Sequence, residues 1–526
     1  MYNILIADKL GSEGLALLDG MPDVQYVERA GLSKEELIAC IGEYDGLIVR
    51  SGCKPDADVI AAATKLKVIG RAGVGIDNVD VEAATRRGII VMNTPQGNSI
   101  ATAEQTLALM LAISRHTAQS HASVLAGEWK RNKFMGTEMY GKTLGVVGFG
   151  RIGRLVAERA LAFGMNVLAY DPYVSEAVGR NMGVTLVDLD DLFAQSDYIT
   201  LHSVLTKETE KIINAQSIAT MKDGAVIINV ARGKLIDEQA LAEGLASGKI
   251  KAAAVDVFSS EPPLDNPLVG LANVLHTPHL GASTEEAQRN VALEIVEQVV
   301  DVLRGVDYRN ALNVPFRTGP DFAKMRPYMG LAEKLGILQQ ALADGPITRI
   351  EVEVTGEGME EMVRAVAAAL LKGVLANKYP EANVINAPMF AQEAGIRMEQ
   401  GYGLRPTDYT HQITCVVHWQ GGSRLVAGVL FGNAESRIVQ VDGYRLEARP
   451  EGTLLFMQNK DVPGVIGQVA TLLATYNVNI AEWRLGRTAP GGEALCFVNL
   501  DGTPPPAVLD AIGQAPAVTQ VKLVQL

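Results

Sequence analysis

Cysteine is scarce: Cys40, Cys53, Cys415 and Cys496 are the only four in 526 residues. They are widely spaced and show no ligand pairing. That excludes a disulfide framework and a cysteine zinc site, and it fits reduced thiols in a cytosolic protein. Excess positive charge is lacking too. With 47 Lys and Arg against 60 Asp and Glu, the net charge is −13, which argues against nucleic acid as a partner. Any anionic substrate must meet a local basic pocket. Charged residues make up only 20% and hydrophobic residues 48%, so a largely disordered chain is excluded. No apolar run is long and uninterrupted enough to span a bilayer, so no membrane partner is expected. Residues 1–8 read as a first strand without the basic start of a signal peptide, and the expected location is cytoplasmic. The length exceeds what one core can hold and points to three or four domains.

Residues 1–95 alternate short apolar strands (4–7, 46–49, 68–70, 89–92) with helical patterns (12–18 and 33–41), the second opened by the capping box Ser33-Lys34-Glu35-Glu36. Such alternation predicts a parallel sheet. A long helix is expected over 99–116, capped by Asn98 or Ser99. Strands follow at 198–201, 225–230, 252–257 and 273–276, then a second long helix over 283–303, and this character ends near Pro315. The pattern changes from Pro327. A strand at 349–355, an alanine-rich helix at 360–371 and two strands at 413–418 and 424–431, joined by Gln420-Gly421-Gly422, indicate a separate α+β domain over 316–447. Residues 452–526 read strand, helix, strand, strand, helix, strand, the ferredoxin-like βαββαβ order.

The most informative motif is Val146-Val147-Gly148-Phe149-Gly150-Arg151-Ile152-Gly153. It follows an apolar strand and opens a helix. Gly148 allows a tight turn, Gly150 lets backbone amides approach a pyrophosphate, and Gly153 lets the helix lie against the sheet. The helix start offers free N–H groups and partial positive charge to phosphates. Asp171 stands at the end of the next strand, where a carboxylate accepts hydrogen bonds from a ribose and repels a 2′-phosphate. The cofactor expected is therefore NAD; a lone glycine turn would be weak evidence, but here strand, helix and acid are in register.

Three further residues follow strand ends, where open α/β sheets bind ligands. Arg232 comes after Val226-Ile227-Ile228-Asn229-Val230 and can fork a carboxylate; its alternative is a solvated loop arginine. Glu261 follows Val255-Asp256-Val257-Phe258; its alternative is a surface acid before Pro262. His279 lies in Thr277-Pro278-His279-Leu280-Gly281-Ala282 and suits proton transfer near neutral pH; His276 is the rival, although a packed or surface role suits it better. Together they fit hydride transfer to or from a 2-hydroxy acid: the arginine grips the carboxylate, the histidine exchanges the hydroxyl proton, and the glutamate orients the histidine.

These motifs, with Asn229-Val230-Ala231-Arg232-Gly233 and Asp256-Val257-Phe258-Ser259-Ser260-Glu261-Pro262, resemble the D-isomer-specific 2-hydroxyacid dehydrogenases. Val49-Arg50-Ser51, Gly70-Arg71-Ala72-Gly73-Val74-Gly75-Ile76-Asp77-Asn78 and Trp129-Lys130-Arg131-Asn132-Lys133-Phe134-Met135-Gly136 are similar to the long-form phosphoglycerate dehydrogenase branch, over essentially all 526 residues. The resemblance implies two doubly wound α/β domains, a substrate-binding one (1–98 with 283–315) and a Rossmann NAD-binding one (99–282), then the intervening α+β domain and an ACT regulatory domain (452–526). It implies Arg232, Glu261 and His279 as catalytic residues. Arg151, Ile152, Asp171 and Ser203 would hold NAD, with Val230, Ala231, Asp256, Gly281 and Ala282 lining the nicotinamide end. Arg50, Ser51, Arg71 and Asn98 would form the substrate pocket, and Arg131 would be a phosphate contact lent by a neighbouring subunit of a homotetramer. The implied reaction oxidises 3-phosphoglycerate to 3-phosphooxypyruvate in serine synthesis. Asn459-Lys460-Asp461-Val462-Pro463-Gly464 and Val478-Asn479-Ile480 resemble amino-acid-sensing ACT domains. They imply L-serine as effector, with its ammonium on Asp461 and its side chain near Asn459 and Asn479. The family has proline where this chain has Val204, for which a slightly altered loop is expected. Two alternatives stand beside this reading: a reductase for glyoxylate, hydroxypyruvate or another 2-oxo acid, and a non-catalytic NAD sensor.

Overall fold

A computed structural model describes residues 1–317, 322–403, 407–432 and 435–526. Its first sheet has five parallel strands in the spatial order Val24–Glu28, Tyr2–Ile6, Gly46–Val49, Val68–Arg71 and Ile90–Asn93. Gly46–Val49 is buried at every position, as the central strand of a sheet covered on both faces should be. Helix Glu285–Arg304 returns from later in the chain to cover one face. Its Ile295, Val296 and Val299 share a core with Ile4, Ile6, Ile48 and Val68, and Thr284 caps its first turn by accepting from the Ala287 amide.

The second sheet has seven parallel strands in the order Val274–His276, Ile250–Val255, Ala225–Asn229, Tyr198–Leu201, Thr143–Val147, Asn166–Tyr170 and Thr185–Leu186. The order reverses at Thr143–Val147, so a crevice opens beyond the carboxyl ends of this strand and Tyr198–Leu201, the position that dinucleotide sites use. Helices Ser99–Ser114 and Arg151–Ala162 bury Leu107, Met110, Val156 and Ala157 against one face; Leu241 and Leu245 cover the other.

The third sheet is mixed: Arg397–Tyr402, Ile347–Thr355, Gln412–Trp419, Gly422–Phe431, Glu435–Val441 and Tyr444–Ala448, with only the first pair parallel. Helices Phe322–Leu342 and Val363–Leu375 pack on it. The last sheet has the order Ile480–Arg487, Glu493–Leu500, Thr453–Lys460 and Val518–Gln525, with helices Val465–Thr475 and Pro506–Gly513 on one side. The carboxyl end of Phe322–Leu342 joins the third and fourth sheets. Leu342 O accepts from Arg424 Nη1 and from Lys522 Nζ (3.1 Å), and Ala343 O also accepts from Lys522 (3.2 Å). Cations suit the negative end of a helix. The Arg424 guanidinium also lies over the rings of Trp419 and Phe456, 5.7 and 5.5 Å from their centroids.

Several elements differ from the sequence reading. Val24–Glu28 is an edge strand that buries only Val24, so it carries no clear apolar run. Pro327 does not mark a break: it sits in the second turn of Phe322–Leu342, where its missing N–H removes a single ladder bond. Arg397–Tyr402 escapes detection because none of its residues is buried. Neither Asn98 nor Ser99 caps Ser99–Ser114 by a side-chain bond; Asn98 occupies the cap position without one, and Ser99 Oγ donates to Pro95 O. No helix among the described residues is long and apolar enough to cross a membrane.

Because Ile295 is fully buried between helix and sheet, Ile295→Ala should destabilise the first α/β unit by about 2–5 kcal/mol, read as an earlier first transition in urea.

Candidate active site

The glycine motif forms a cradle that fits a dinucleotide. Gly148 has φ +94°, and a Cβ there would lie 2.6 Å from the Ser203 amide nitrogen. At Gly153 a Cβ would meet Gly148 O at 2.2 Å, so the helix can start only with glycine there. At Gly150 a Cβ would meet nothing within 4 Å: this is open space at the start of Arg151–Ala162, which has no side-chain cap. Ser203 Oγ is buried without a partner, an orphan that a ribose or nicotinamide group can satisfy. Asp171 holds the turn from the neighbouring strand. Its Oδ2 accepts from the Phe149 amide and its Oδ1 from the Tyr173 amide, both at 2.9 Å. Each oxygen keeps lone-pair capacity for a ribose. Arg151 and Ile152 open the helix at this edge. Val204 is exposed, and its loop is closed by Thr209 Oγ1, which donates to Val204 O (2.6 Å) and accepts from the Thr206 amide (2.8 Å).

At the strand ends of the same sheet, two of the three predicted residues, His279 and Glu261, form a pair. His279 Nδ1 is 2.7 Å from Glu261 Oε2, and the other oxygen of Glu261 accepts from the Phe258 amide at 3.1 Å. His279 has φ +56°, an uncommon conformation for a residue with a side chain. Asp256 imposes it. This carboxylate has no exposed surface. It accepts from Thr277 Oγ1 and from the Leu280 and Gly281 amides at 2.8 Å, while Asp256 O takes the His279 amide. Thr102 Oγ1 donates to Gly281 O, and Gln288 Nε2 to Ala282 O. Val230 packs against Gly281, where a Cβ would be 3.1 Å from its Cγ1, and the Ala231 amide is held by Asn229 Oδ1. The rival His276 is engaged elsewhere: its Nε2 is 2.9 Å from Leu268 O and its ring stacks on Phe258. Burial pushes His202 down to about 3, so that ring is neutral, 2.9 Å from Thr200 Oγ1.

The first α/β unit contributes cations. Arg232 reaches across to it and donates from Nε to Asp77 Oδ2 at 2.7 Å. Arg71 is deeply set, with Nε buried and unpartnered. Its desolvation, then the charges of Arg232 and Arg50, bring it down to about 10, so it remains charged at neutral pH. Arg50 is held by Asp8, which accepts from its amide at 2.6 Å and from that of Cys53 at 3.0 Å. Asn98 Oδ1 is another buried orphan. Ser51 is exposed in the loop beside Arg50. Arg131 is not joined to this cluster. It lies on the exposed turn Arg131–Phe134, next to exposed Trp129 and Met135 and after helix Thr117–Leu125, which buries no residue. The sequence reading gives no role to Asp77 or Asp8; the available signal was an acid just past a strand end, within a glycine loop for Asp77.

The effector residues do not converge within one chain. Antiparallel pairing places Asn459 opposite Ala494, whereas Asn479 precedes a strand that starts opposite Leu500, at the other end of the sheet. Asp461 is engaged by the Gly491 amide and by Arg487 Nη1 (2.9 Å), which hold its carboxyl below the usual range. Asn459 is buried and bonds to Cys496 Sγ and Lys460 O; Asn479 donates to Asp501 Oδ2.

Comparison with known proteins matches this architecture segment by segment. Residues 107–281 match the model of the D-isomer specific 2-hydroxyacid dehydrogenase NAD binding domain, 324–442 that of the D-3-phosphoglycerate dehydrogenase intervening domain, and 453–517 that of the ACT domain. The chain is 45% identical to D-3-phosphoglycerate dehydrogenase of Methanocaldococcus jannaschii and 37% identical to that of Bacillus subtilis, in each case over 100% of both chains. A crystal structure of D-lactate dehydrogenase from Aquifex aeolicus with NAD and lactic acid is similar over 58% of this chain and 96% of that one, at 28% identity and a TM-score of 0.54. The cofactor is NAD.

Gly150→Ala should fold with an unchanged Tm, because the added Cβ meets nothing within 4 Å. NADH fluorescence titration should show at least about a tenfold loss of affinity, roughly 1.4 kcal/mol. Unchanged affinity would remove the pyrophosphate from this turn.

Proposed function

This chain belongs to the D-3-phosphoglycerate dehydrogenase family, and from that premise we propose that it oxidises 3-phospho-D-glycerate to 3-phosphooxypyruvate with NAD, as the first step of L-serine biosynthesis. The observation that carries this reading is the His279–Glu261 pair and Arg232 on successive strand ends of one sheet, beside a second pair of arginines, Arg50 and Arg71.

The chemistry follows from the side chains. Arg232 forks the substrate carboxylate and polarises the adjoining carbon–oxygen bond. His279 receives the hydroxyl proton through Nε2, the nitrogen that Glu261 does not engage. Glu261 fixes the ring's tautomer and stabilises the imidazolium that forms. NAD, which the 148–153 turn and Asp171 would hold, would supply the hydride acceptor for C2. Arg50 and Arg71 hold the phosphate, with Arg131 lent by a second subunit, and Ser51 and the orphaned Asn98 Oδ1 complete the pocket. A phosphorylated three-carbon acid carries several negative charges, which the three arginines match and a plain 2-oxo acid does not.

The same reading assigns the units 1–98 with 283–315, 99–282, 316–447 and 452–526, and a cytoplasmic homotetramer. The exposed apolar residues around Arg131 support a subunit contact there. L-serine is the effector we assign to the ACT domain. Since Asn459 and Asn479 sit at opposite ends of one sheet, a complete site takes one end from each of two copies.

NADH oxidation by the purified protein tests the reaction and the effector, comparing 3-phosphooxypyruvate with glyoxylate and hydroxypyruvate, with and without L-serine. Strong preference for the phosphorylated substrate, suppressed by serine, is expected. Equal use of glyoxylate would reassign the enzyme as a general 2-oxo acid reductase, and no turnover despite tight NADH binding would make it a sensor. His279→Gln should lower kcat about 10²–10⁴-fold with NADH affinity intact.

A further inference from the structure

The Arg232 guanidinium is fixed on three sides. Its Nε donates to Asp77 Oδ2 at 2.7 Å and its Nη1 to Ala231 O at 2.8 Å. Its Nη2 lies over Gly75, where a Cβ would come within 1.9 Å of it. Two of the five N–H donors of a guanidinium are thus taken, and three remain on Nη1 and Nη2 for a carboxylate. Asp77 and Arg232 belong to different α/β units: Asp77 follows the strand Val68–Arg71 of the first sheet, and Arg232 follows Ala225–Asn229 of the second.

We propose that Asp77 is a positioning residue for substrate binding: it sets the plane of the Arg232 guanidinium, and through this pair it couples assembly of the anion pocket to the approach of the two α/β units. The proposal rests on the dehydrogenase reading above. The pair is not part of a core. The side chains of Arg232 and Asp77 are 31% and 60% exposed, so it contributes little to stability; what it supplies is geometry. Charge points the same way. Arg50, Arg71 and Arg232 repel one another, and Asp77 and Asp8 are the acids that oppose this at Arg71. Without Asp77, Arg232 would lose both its anchor on the opposite unit and the charge that draws it there. The opposing idea is that Asp77 only occupies Arg232 until substrate displaces it. In that case its removal would tighten substrate binding.

The test is steady-state kinetics of the full-length enzyme and its Asp77→Asn and Asp77→Glu variants, with 3-phosphooxypyruvate and NADH as substrates. For Asp77→Asn, kcat/KM should fall about 10–100-fold, chiefly through the KM of the 2-oxo acid, while NADH affinity and Tm stay as they were. Asp77→Glu should recover part of the loss. In an Arg232→Lys background, Asp77→Asn should cost little more, because the residue it positions is already altered. A wild-type or lower KM in Asp77→Asn would overturn the proposal, and so would a loss of Tm and NADH affinity in parallel with activity. In either case an active unsubstituted enzyme leaves the dehydrogenase reading standing. An unsubstituted enzyme that turns over no 2-oxo acid overturns both.

Discussion

The site depends on one buried charge. Asp256 has no contact with water, and an ionised carboxylate in that position must be satisfied by donors. The donors all come from one turn, residues 277–281. Satisfying Asp256 therefore draws that turn onto the end of Ile250–Val255, forces His279 into a left-handed backbone conformation, and presents its ring to Glu261. The proton-transfer pair is a consequence of where a carboxylate was buried, and its half-exposed members need no deep burial of their own.

The anion pocket rests on a different balance. Three arginines from two units are held near each other: the Arg50 amide is tethered by Asp8, Arg232 by Asp77 and the Ala231 carbonyl, while the deeply set Arg71 keeps an unpartnered Nε. Such a cluster stays open and cationic because its repulsion is only partly cancelled. Arg71 Nε, Asn98 Oδ1 and Ser203 Oγ are buried without partners, and an unsatisfied donor or acceptor is an energetic incentive to admit a polar ligand.

How much of this the sequence showed depends on how local each signal is. The glycine cradle, Asp171 and the three strand-end residues were legible because a strand, its turn and the next residue are contiguous, and each chemistry follows from a few adjacent positions. The capping box at Ser33 was legible for the same reason and is present with both bonds. The Asp77–Arg232 pair was not, because its members are 155 positions apart and neither neighbourhood hints at the other. Edge strands such as Val24–Glu28 and Arg397–Tyr402 were lost because they bury too little to show a period. The effector trio looked like one cluster because its members are only twenty residues apart in sequence, yet strand direction sends them to opposite ends of a sheet.

The clamp on helix Phe322–Leu342 has a consequence for how the polypeptide is made. Lys522 and Phe456 both lie beyond the elements they complete, and Lys522 belongs to the final strand. During synthesis the helix and the Arg424 strand emerge well before those partners. Until Lys522 has left the ribosome, the Leu342 and Ala343 carbonyls lack their lysine. Domains that fold in order of emergence thus leave this joint for last, and a chain truncated before Lys522 presents an unfinished helix end, a feature by which quality control can distinguish it from the finished protein.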